Sequence, residues 1–244
     1  MIDGLRLGKP AFLASVTNAD EAEAALAGGA DIIDCKDPAS GALGALGADT
    51  VRDIVARIGG RLAVSATVGD LPSDPDILVK AAAQMAATGV DIVKVGFFGG
   101  DDPGAAISAL GIADLGPARL VAVLMADREP DFAVVPELAA SGFAGVMLDT
   151  ADKTAGRLTS VLSIARLTKF VGLARDNDLF VGLAGSLKEG DISVLAGLEP
   201  DMLGFRGALC PAGRKSALER SRVAAIRRAL DAAKLEKMRE TSVA

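Results

Sequence analysis

Four short apolar runs carry residues that can do chemistry. They are Asp31-Ile32-Ile33-Asp34-Cys35-Lys36, Asp91-Ile92-Val93-Lys94-Val95-Gly96, Gly145-Val146-Met147-Leu148-Asp149-Thr150 and Met202-Leu203-Gly204-Phe205-Arg206-Gly207. Runs this rich in aliphatic and β-branched residues read as strands buried in a sheet. A lysine at the end of such a run is costly, because desolvation disfavours the ammonium. Two lysines held close also repel, so at least one pKa is expected to fall. A neutral lysine at pH 7 is a base, or a nucleophile towards a carbonyl, and Asp149 would keep the other lysine charged. That is the equipment for Schiff-base chemistry on an aldehyde or ketone. The plainer alternative gives each lysine a carboxylate partner and no reaction: Lys36 with Asp34, and Lys94 with Asp91 or Asp149.

The residues that are missing narrow the chemistry further. The 244-residue chain has no His, Tyr or Trp. A histidine base, a Ser-His-Asp triad and a histidine-ligated zinc are excluded. Proton transfer falls to Lys, Asp, Glu, Cys or bound water. Hydrophobic residues make up 50% of the chain and aromatics 3%, which suits helix-on-sheet packing better than a stacking surface for bases. With 26 basic and 32 acidic residues the net charge is −6, which is not the footprint of a nucleic-acid binder. No secretory signal pattern and no apolar run of the ~18 residues that span a bilayer is visible, so a soluble, cytoplasmic protein with no membrane partner is expected. Cys35 and Cys210, the only cysteines, do not resemble a disulfide framework.

The elements that must position these residues alternate strictly. Strands are expected over 11–16, 31–36, 62–68, 91–97, 120–125, 145–150, 180–184 and 202–205. Helices are expected after each, over 18–26, 48–58, 76–88, 103–110, 130–140, 157–177, 191–198 and 214–237. Repeated helical crossovers imply parallel strands. Eight units in this length fit an α/β, single-domain (β/α)8 TIM barrel over residues 1–237, with a frayed tail over 238–244. An open doubly wound sheet would usually carry a glycine fingerprint after its first strand, and Val16-Thr17-Asn18-Ala19 is not one.

A barrel places its active site at the C-terminal ends of the strands. Strand alternation puts Asp34 and Lys36 on one face and Cys35 on the other, towards the helices. Ser65 and Thr67 share a face, and with Asp34 they are expected to bind substrate. If these faces point inward, Lys36, Lys94 and Asp149 converge at the mouth, with Lys153 four residues beyond Asp149 in the following loop. Gly185-Ser186 and Arg206-Gly207 occupy the common phosphate position of this fold, where backbone N–H groups and a guanidinium fork can hold an anion. Asp70 and Asp127 end strands, but no paired carboxylate spacing supports a magnesium site, so no metal is expected. Arg214, Lys215, Arg220, Arg222, Arg227 and Arg228 read as a solvated helix face, and Cys210 as structural. Ala- and Leu-rich helix faces are compatible with a homo-oligomer.

Read together, these stretches resemble the (5-formylfuran-3-yl)methyl phosphate synthase family of methanofuran biosynthesis, also called 4-(hydroxymethyl)-2-furancarboxaldehyde-phosphate synthases. The resemblance spans strand one to strand eight. It is carried by the run from Gly28 to Lys36, Ser65-Ala66-Thr67-Val68-Gly69-Asp70, Val93-Lys94-Val95-Gly96, Met147-Leu148-Asp149-Thr150-Ala151, Leu183-Ala184-Gly185-Ser186 and Gly204-Phe205-Arg206-Gly207-Ala208. The resemblance implies condensation of two glyceraldehyde 3-phosphate molecules to a phosphorylated furan aldehyde, with loss of phosphate and water, and no metal or organic cofactor. It implies that Lys36 forms the Schiff base, that Lys94 transfers protons, and that Asp149 and Lys153 are catalytic. The chain departs from the family at Cys35, where a small aliphatic residue is expected, and between Asp152 and Leu158. A Schiff-base aldolase acting on another sugar phosphate would use the same lysine and phosphate site. A non-catalytic sugar-phosphate-binding barrel is the reading from a different class, and an unreactive Lys36 would mark it.

Overall fold

The structure, a computed structural model, describes residues 10–99, 102–152, 154 and 156–243. Its eight strands are β1 (Ala11–Val16), β2 (Ile32–Cys35), β3 (Ala63–Thr67), β4 (Ile92–Phe97), β5 (Arg119–Met125), β6 (Gly145–Asp149), β7 (Phe180–Leu183) and β8 (Met202–Phe205). They run in sequence order around a closed barrel, with every neighbouring pair parallel and β8 returning to β1. The outer layer holds α1 (Ala19–Gly28), α2 (Ala48–Ile58), α3 (Pro75–Ala86), α4 (Gly104–Gly111), α5 (Val134–Ala140), α6 (Leu158–Val161), α7 (Ile164–Asp176), α8 (Ile192–Gly197) and α9 (Arg220–Val243). The expected (β/α)8 architecture is the one observed.

Local chemistry sets the element ends. The Asn18 side chain accepts the Glu21 N–H at 2.9 Å, and Gly29 ends α1 in the left-handed conformation at φ 96°. Three aspartates then pin strand starts to their neighbours. Asp31, Asp91 and Asp201 lie just before β2, β4 and β8. Each accepts a backbone N–H from the preceding strand: Phe12 at 2.7 Å, Val64 at 2.8 Å and Val181 at 2.8 Å. Asp91 is therefore a register clamp just before β4, its carboxylate engaged by Val64 while Lys94 pairs with Asp34. Two helices depart from the sequence reading. The helix expected over 157–177 breaks at Leu162, which is extended, and Ser163 caps α7 by accepting the Arg166 N–H. The last helix begins at Arg220 rather than at 214, so residues 214–219 form a loop.

Alternation along the strands divides the core in two. Outward residues such as Phe12, Ile33, Val64, Val93, Leu124, Leu148, Val181 and Leu203 pack under the helices. Inward residues Leu13, Ile32, Ile92, Val121, Val123, Met147, Phe180 and Met202 fill the barrel. Complete burial of each such aliphatic side chain contributes about 1.5–3 kcal/mol. Cys35 is wholly buried in the outer layer, facing away from the barrel axis as its parity implies.

One buried ion pair fastens the last strand to the first helix. Arg206, just past β8, meets Glu21 of α1 through Nη1 at 2.5 Å and Nη2 at 3.2 Å. Glu21 also accepts the N–H groups of Thr17 and Leu218, at 2.8 and 3.0 Å. Burial alone would raise the Glu21 pKa, but the Arg206 hydrogen bond and charge and the two backbone donors outweigh it and hold it below the usual carboxylate range. A carboxyl that ionises more readily when folded stabilises fully above its unfolded pKa, and that stabilisation is lost as pH falls towards the folded value.

Glu21→Gln should therefore destabilise the fold by about 3 kcal/mol in denaturant titrations at neutral pH, the cost of stranding one partner of a buried pair. The gap to wild type should narrow in acid; a gap that widens there would sink this account. Burial, reinforced at Cys35 by the Asp34 charge, pushes both thiols up from their ordinary range. A thiol reagent should react with neither cysteine in the native protein and with both after unfolding.

Candidate active site

The register builds the site. Ser15, Asp34 and Ser65 lie side by side on β1, β2 and β3. Their inward parity places all three above the apolar filling of the barrel. Asp34 is completely buried and accepts both hydroxyls, Ser15 Oγ on Oδ2 at 2.8 Å and Ser65 Oγ on Oδ1 at 2.7 Å. Its Oδ1 also receives Lys94 Nζ at 2.6 Å. Asp34 is thus the counter-charge of Lys94, held from both sides. Burial lowers the Lys94 pKa below the ordinary lysine range; Asp34 opposes the shift and the nearby Lys36 adds to it.

The second lysine has its own carboxylate. Lys36, immediately after β2, places Nζ 2.9 Å from Asp149 Oδ2 at the end of β6, across the barrel mouth. Asp149 is turned to this position by the Thr150 N–H, which donates to Oδ1 at 2.7 Å. Lys36, Lys94 and Asp149 are all buried, with residue exposures of 7%, 3% and 4%. The pairings differ from those that simple strand-end neutralisation suggests: Lys36 reaches Asp149, and Lys94 reaches Asp34.

All four groups line one cavity of about 480 Å³. Ser15, Gly185, Ser186, Gly207 and Arg214 also line it. Gly185 and Ser186 are both left-handed, at φ 112° and 52°. A Cβ on Gly185 would lie 2.9 Å from Thr150 Cγ2, so the backbone can turn there only as glycine. Such a turn exposes successive N–H groups to an anion. Gly207 opens a single 3-10 turn, Gly207–Leu209, beside it.

Other expected residues are placed differently. Ser65 and Thr67 do not line the cavity. Ser65 holds Asp34, and Thr67 Oγ1 donates to the Gly44 carbonyl at 3.0 Å, fastening the loop after β2. The Arg206 guanidinium is not offered to a ligand. Nε donates to Arg214 O, Nη1 to Ser15 O and Glu21, and Nη2 to Ser216 O and Glu21, which occupies all five of its N–H groups. Lys153 lies outside the described residues.

Asp70 and Asp127 hold loops by their backbone N–H groups. Asp70 accepts from Ala42 and Leu43 at 2.8 and 2.6 Å, and Asp127 from Ala151 and Asp152 at 2.7 Å each. Each strand-end carboxylate thereby shapes the loop of an adjacent unit: the first the loop after Lys36, the second the loop after Asp149. A Cβ on Gly41 would lie 2.2 Å from Asp70 Oδ2, and its φ of 113° suits glycine. Among the described residues no three acidic or thiol side chains gather as metal ligands.

Sequence reading missed Ser15 and Arg214. Ser15 had a signal, as the one polar residue in Ala11-Phe12-Leu13-Ala14-Ser15-Val16. Arg214 had none, because it sits in what reads as helix.

Comparison with known proteins follows the same line. The profile of the 4-HFC-P synthase family matches residues 12–227. A Methylorubrum extorquens protein, named provisionally as (5-formylfuran-3-yl)methyl phosphate synthase, is 47% identical over 217 residues, covering 88% of this chain and 89% of its own. The (5-formylfuran-3-yl)methyl phosphate synthase of Methanopyrus kandleri is 38% identical over 219 residues, 85% of this chain and 92% of its own. Among solved structures, phosphoribosyl anthranilate isomerase from Thermus thermophilus superposes with a TM-score of 0.63 over 91% of this chain and 98% of its own, at 15% identity. That likeness concerns the barrel alone. The profile match and the relatives above 30% identity establish that the chain belongs to the 4-HFC-P synthase family, the (5-formylfuran-3-yl)methyl phosphate synthases.

Proposed function

We propose that this chain condenses two molecules of glyceraldehyde 3-phosphate into (5-formylfuran-3-yl)methyl phosphate through a Schiff base on Lys36, as a cytoplasmic lyase serving methanofuran biosynthesis. The observation that carries the reading is the pair of buried contacts, Lys36 with Asp149 and Lys94 with Asp34, opening on one cavity. The names of the relatives support the product. The atoms balance as two C3 triose phosphates giving one C6 furan phosphate, one inorganic phosphate and two waters.

Each group has a task in this reading. Asp149 Oδ2 takes the proton from Lys36, leaving the amine free to attack the aldehyde carbon of the first triose phosphate. The carbinolamine loses water to give an iminium, which acidifies the neighbouring C–H. Lys94, its proton held less tightly than that of an ordinary lysine, exchanges protons with the substrate. Carbon–carbon bond formation with the second triose phosphate, loss of phosphate and dehydrating ring closure follow. The turn at Gly185-Ser186 and the backbone at Gly207 hold phosphate. Lys153, four residues beyond Asp149 in the sequence, assists the second substrate.

Borohydride treatment in the presence of glyceraldehyde 3-phosphate should leave a reduced adduct on the peptide containing Lys36, absent from Lys36→Ala. A product with furan ultraviolet absorbance and the matching mass separates synthase from aldolase. If no lysine is modified, the Schiff-base mechanism is wrong; if only Lys94 is modified, the two lysines exchange roles. Asp149→Asn should lower kcat by about 100-fold or more, in the range of a lost acid–base group, in protein that circular dichroism shows to be folded. The alkaline limb of the rate profile should lie below the ordinary lysine range of about 10.4. Asp34→Asn removes the charge that favours the Lys94 ammonium, so that limb should move to lower pH; an unmoved limb would show that Lys94 does not set it.

A further inference from the structure

The cavity needs a cation for a phosphorylated substrate, and Arg206 cannot serve as one without giving up its own partners. All five of its N–H groups are engaged by Glu21 and three carbonyls. Arg214 stands in contrast. It lies on the loop that replaces the start of the expected last helix, and it lines the same cavity as Lys36, Lys94 and Asp149. Its Cβ would touch a Cβ built on Gly207, at 4.0 Å. Its side chain then crosses the mouth, where Nη2 donates to the Gly41 carbonyl at 3.0 Å. That is a single neutral hydrogen bond for a half-buried guanidinium, with no carboxylate at ion-pair distance among the described residues. Asp149, Asp70 and Asp37 favour its charge from further away, while burial and Arg206 oppose it. The other cations on the cavity wall are in different positions: Lys188 and Arg222 are exposed, and Arg222 is paired with Glu219 at 3.3 Å.

We propose that Arg214 is the guanidinium that binds a substrate phosphate in this cavity, and that it makes the site select phosphorylated over unphosphorylated aldehydes. The idea rests on the reading above, in which the substrate is a phosphorylated aldehyde. A guanidinium offers a planar fork to a phosphate, and charge-assisted bonds of that kind are stronger than the bond to a carbonyl. Binding therefore exchanges Gly41 O for phosphate oxygens at the same mouth. Gly207, packed against Arg214, adds its backbone to the same anion.

Two measurements separate this idea from the reading beneath it. The first is calorimetric titration of inorganic phosphate into wild type, Arg214→Gln, Arg214→Lys and Arg222→Gln, with circular dichroism on each. Phosphate affinity should fall about 10- to 100-fold in Arg214→Gln, the worth of a hydrogen bond to a charged group, and recover in part in Arg214→Lys. The second compares borohydride trapping of glyceraldehyde with that of glyceraldehyde 3-phosphate. Arg214→Gln should lose the preference for the phosphorylated aldehyde, its trapping of glyceraldehyde 3-phosphate falling by a larger factor than its trapping of glyceraldehyde. Wild-type protein that binds no phosphate, or a loss that follows Arg222→Gln instead, overturns the proposal. So does a folded Arg214→Gln that keeps both phosphate affinity and substrate preference. Failure of the wild type to trap either aldehyde defeats the Schiff-base reading, and the phosphate titration still decides the role of Arg214.

Discussion

The site is organised around the buried charge of Asp34. Its carboxylate is completely buried, and an isolated ion there would cost several kcal/mol in lost hydration. Two serine hydroxyls and one ammonium replace the water it has given up. The arrangement works in both directions. Asp34 makes a charged Lys94 tolerable at the bottom of the cavity, and Lys94 makes Asp34 tolerable in the barrel. Because the serines hold Asp34 on both oxygens, the lysine cannot draw it out of place. The barrel register supplies this geometry, since Ser15, Asp34 and Ser65 are neighbours only when three strands pair as they do.

Lys36 and Asp149 repeat the solution one layer higher. The adjacent Thr150 N–H helps to orient Asp149, and the contact to Lys36 opens on the cavity. One fold therefore provides two buried lysines, each with its own carboxylate. Their separate partners keep two ammonium groups from confronting each other without compensation.

The loops are held with comparable care. Asp70 and Asp127 point their carboxylates at backbone N–H groups of neighbouring loops, and Thr67 donates to a carbonyl in the first of them. The Glu21–Arg206 pair ties the end of β8 back to α1 and fixes the loop that contains Arg214 through the carbonyls of Arg214 and Ser216. Arg206 acts on the cavity through the backbone it organises. This explains how an arginine at the expected phosphate position can be essential to the shape of the site and still have no donor left for a ligand.

The sequence by itself determined the barrel, the strand parities and the gathering of Lys36, Lys94 and Asp149 at one end. Those properties follow from local rules: apolar runs make strands, alternation sorts faces, and strict alternation of strands and helices makes parallel pairs. It also carried the family resemblance, because the motifs lie in that same order along the chain. Tertiary structure alone decided which carboxylate meets which lysine. Lys36 and Asp149 are 113 residues apart, and their meeting depends on barrel closure. It also decided the fate of the arginines. The sequence places Arg206 at the phosphate position and Arg214 on a solvated helix face, and the structure reverses those parts. One is saturated by Glu21 and carbonyls from distant elements, and the other is left facing the cavity because the chain between 214 and 219 does not take up the helix its composition suggests. Whether a donor is engaged or available depends on every acceptor around it, and those acceptors come from the whole fold.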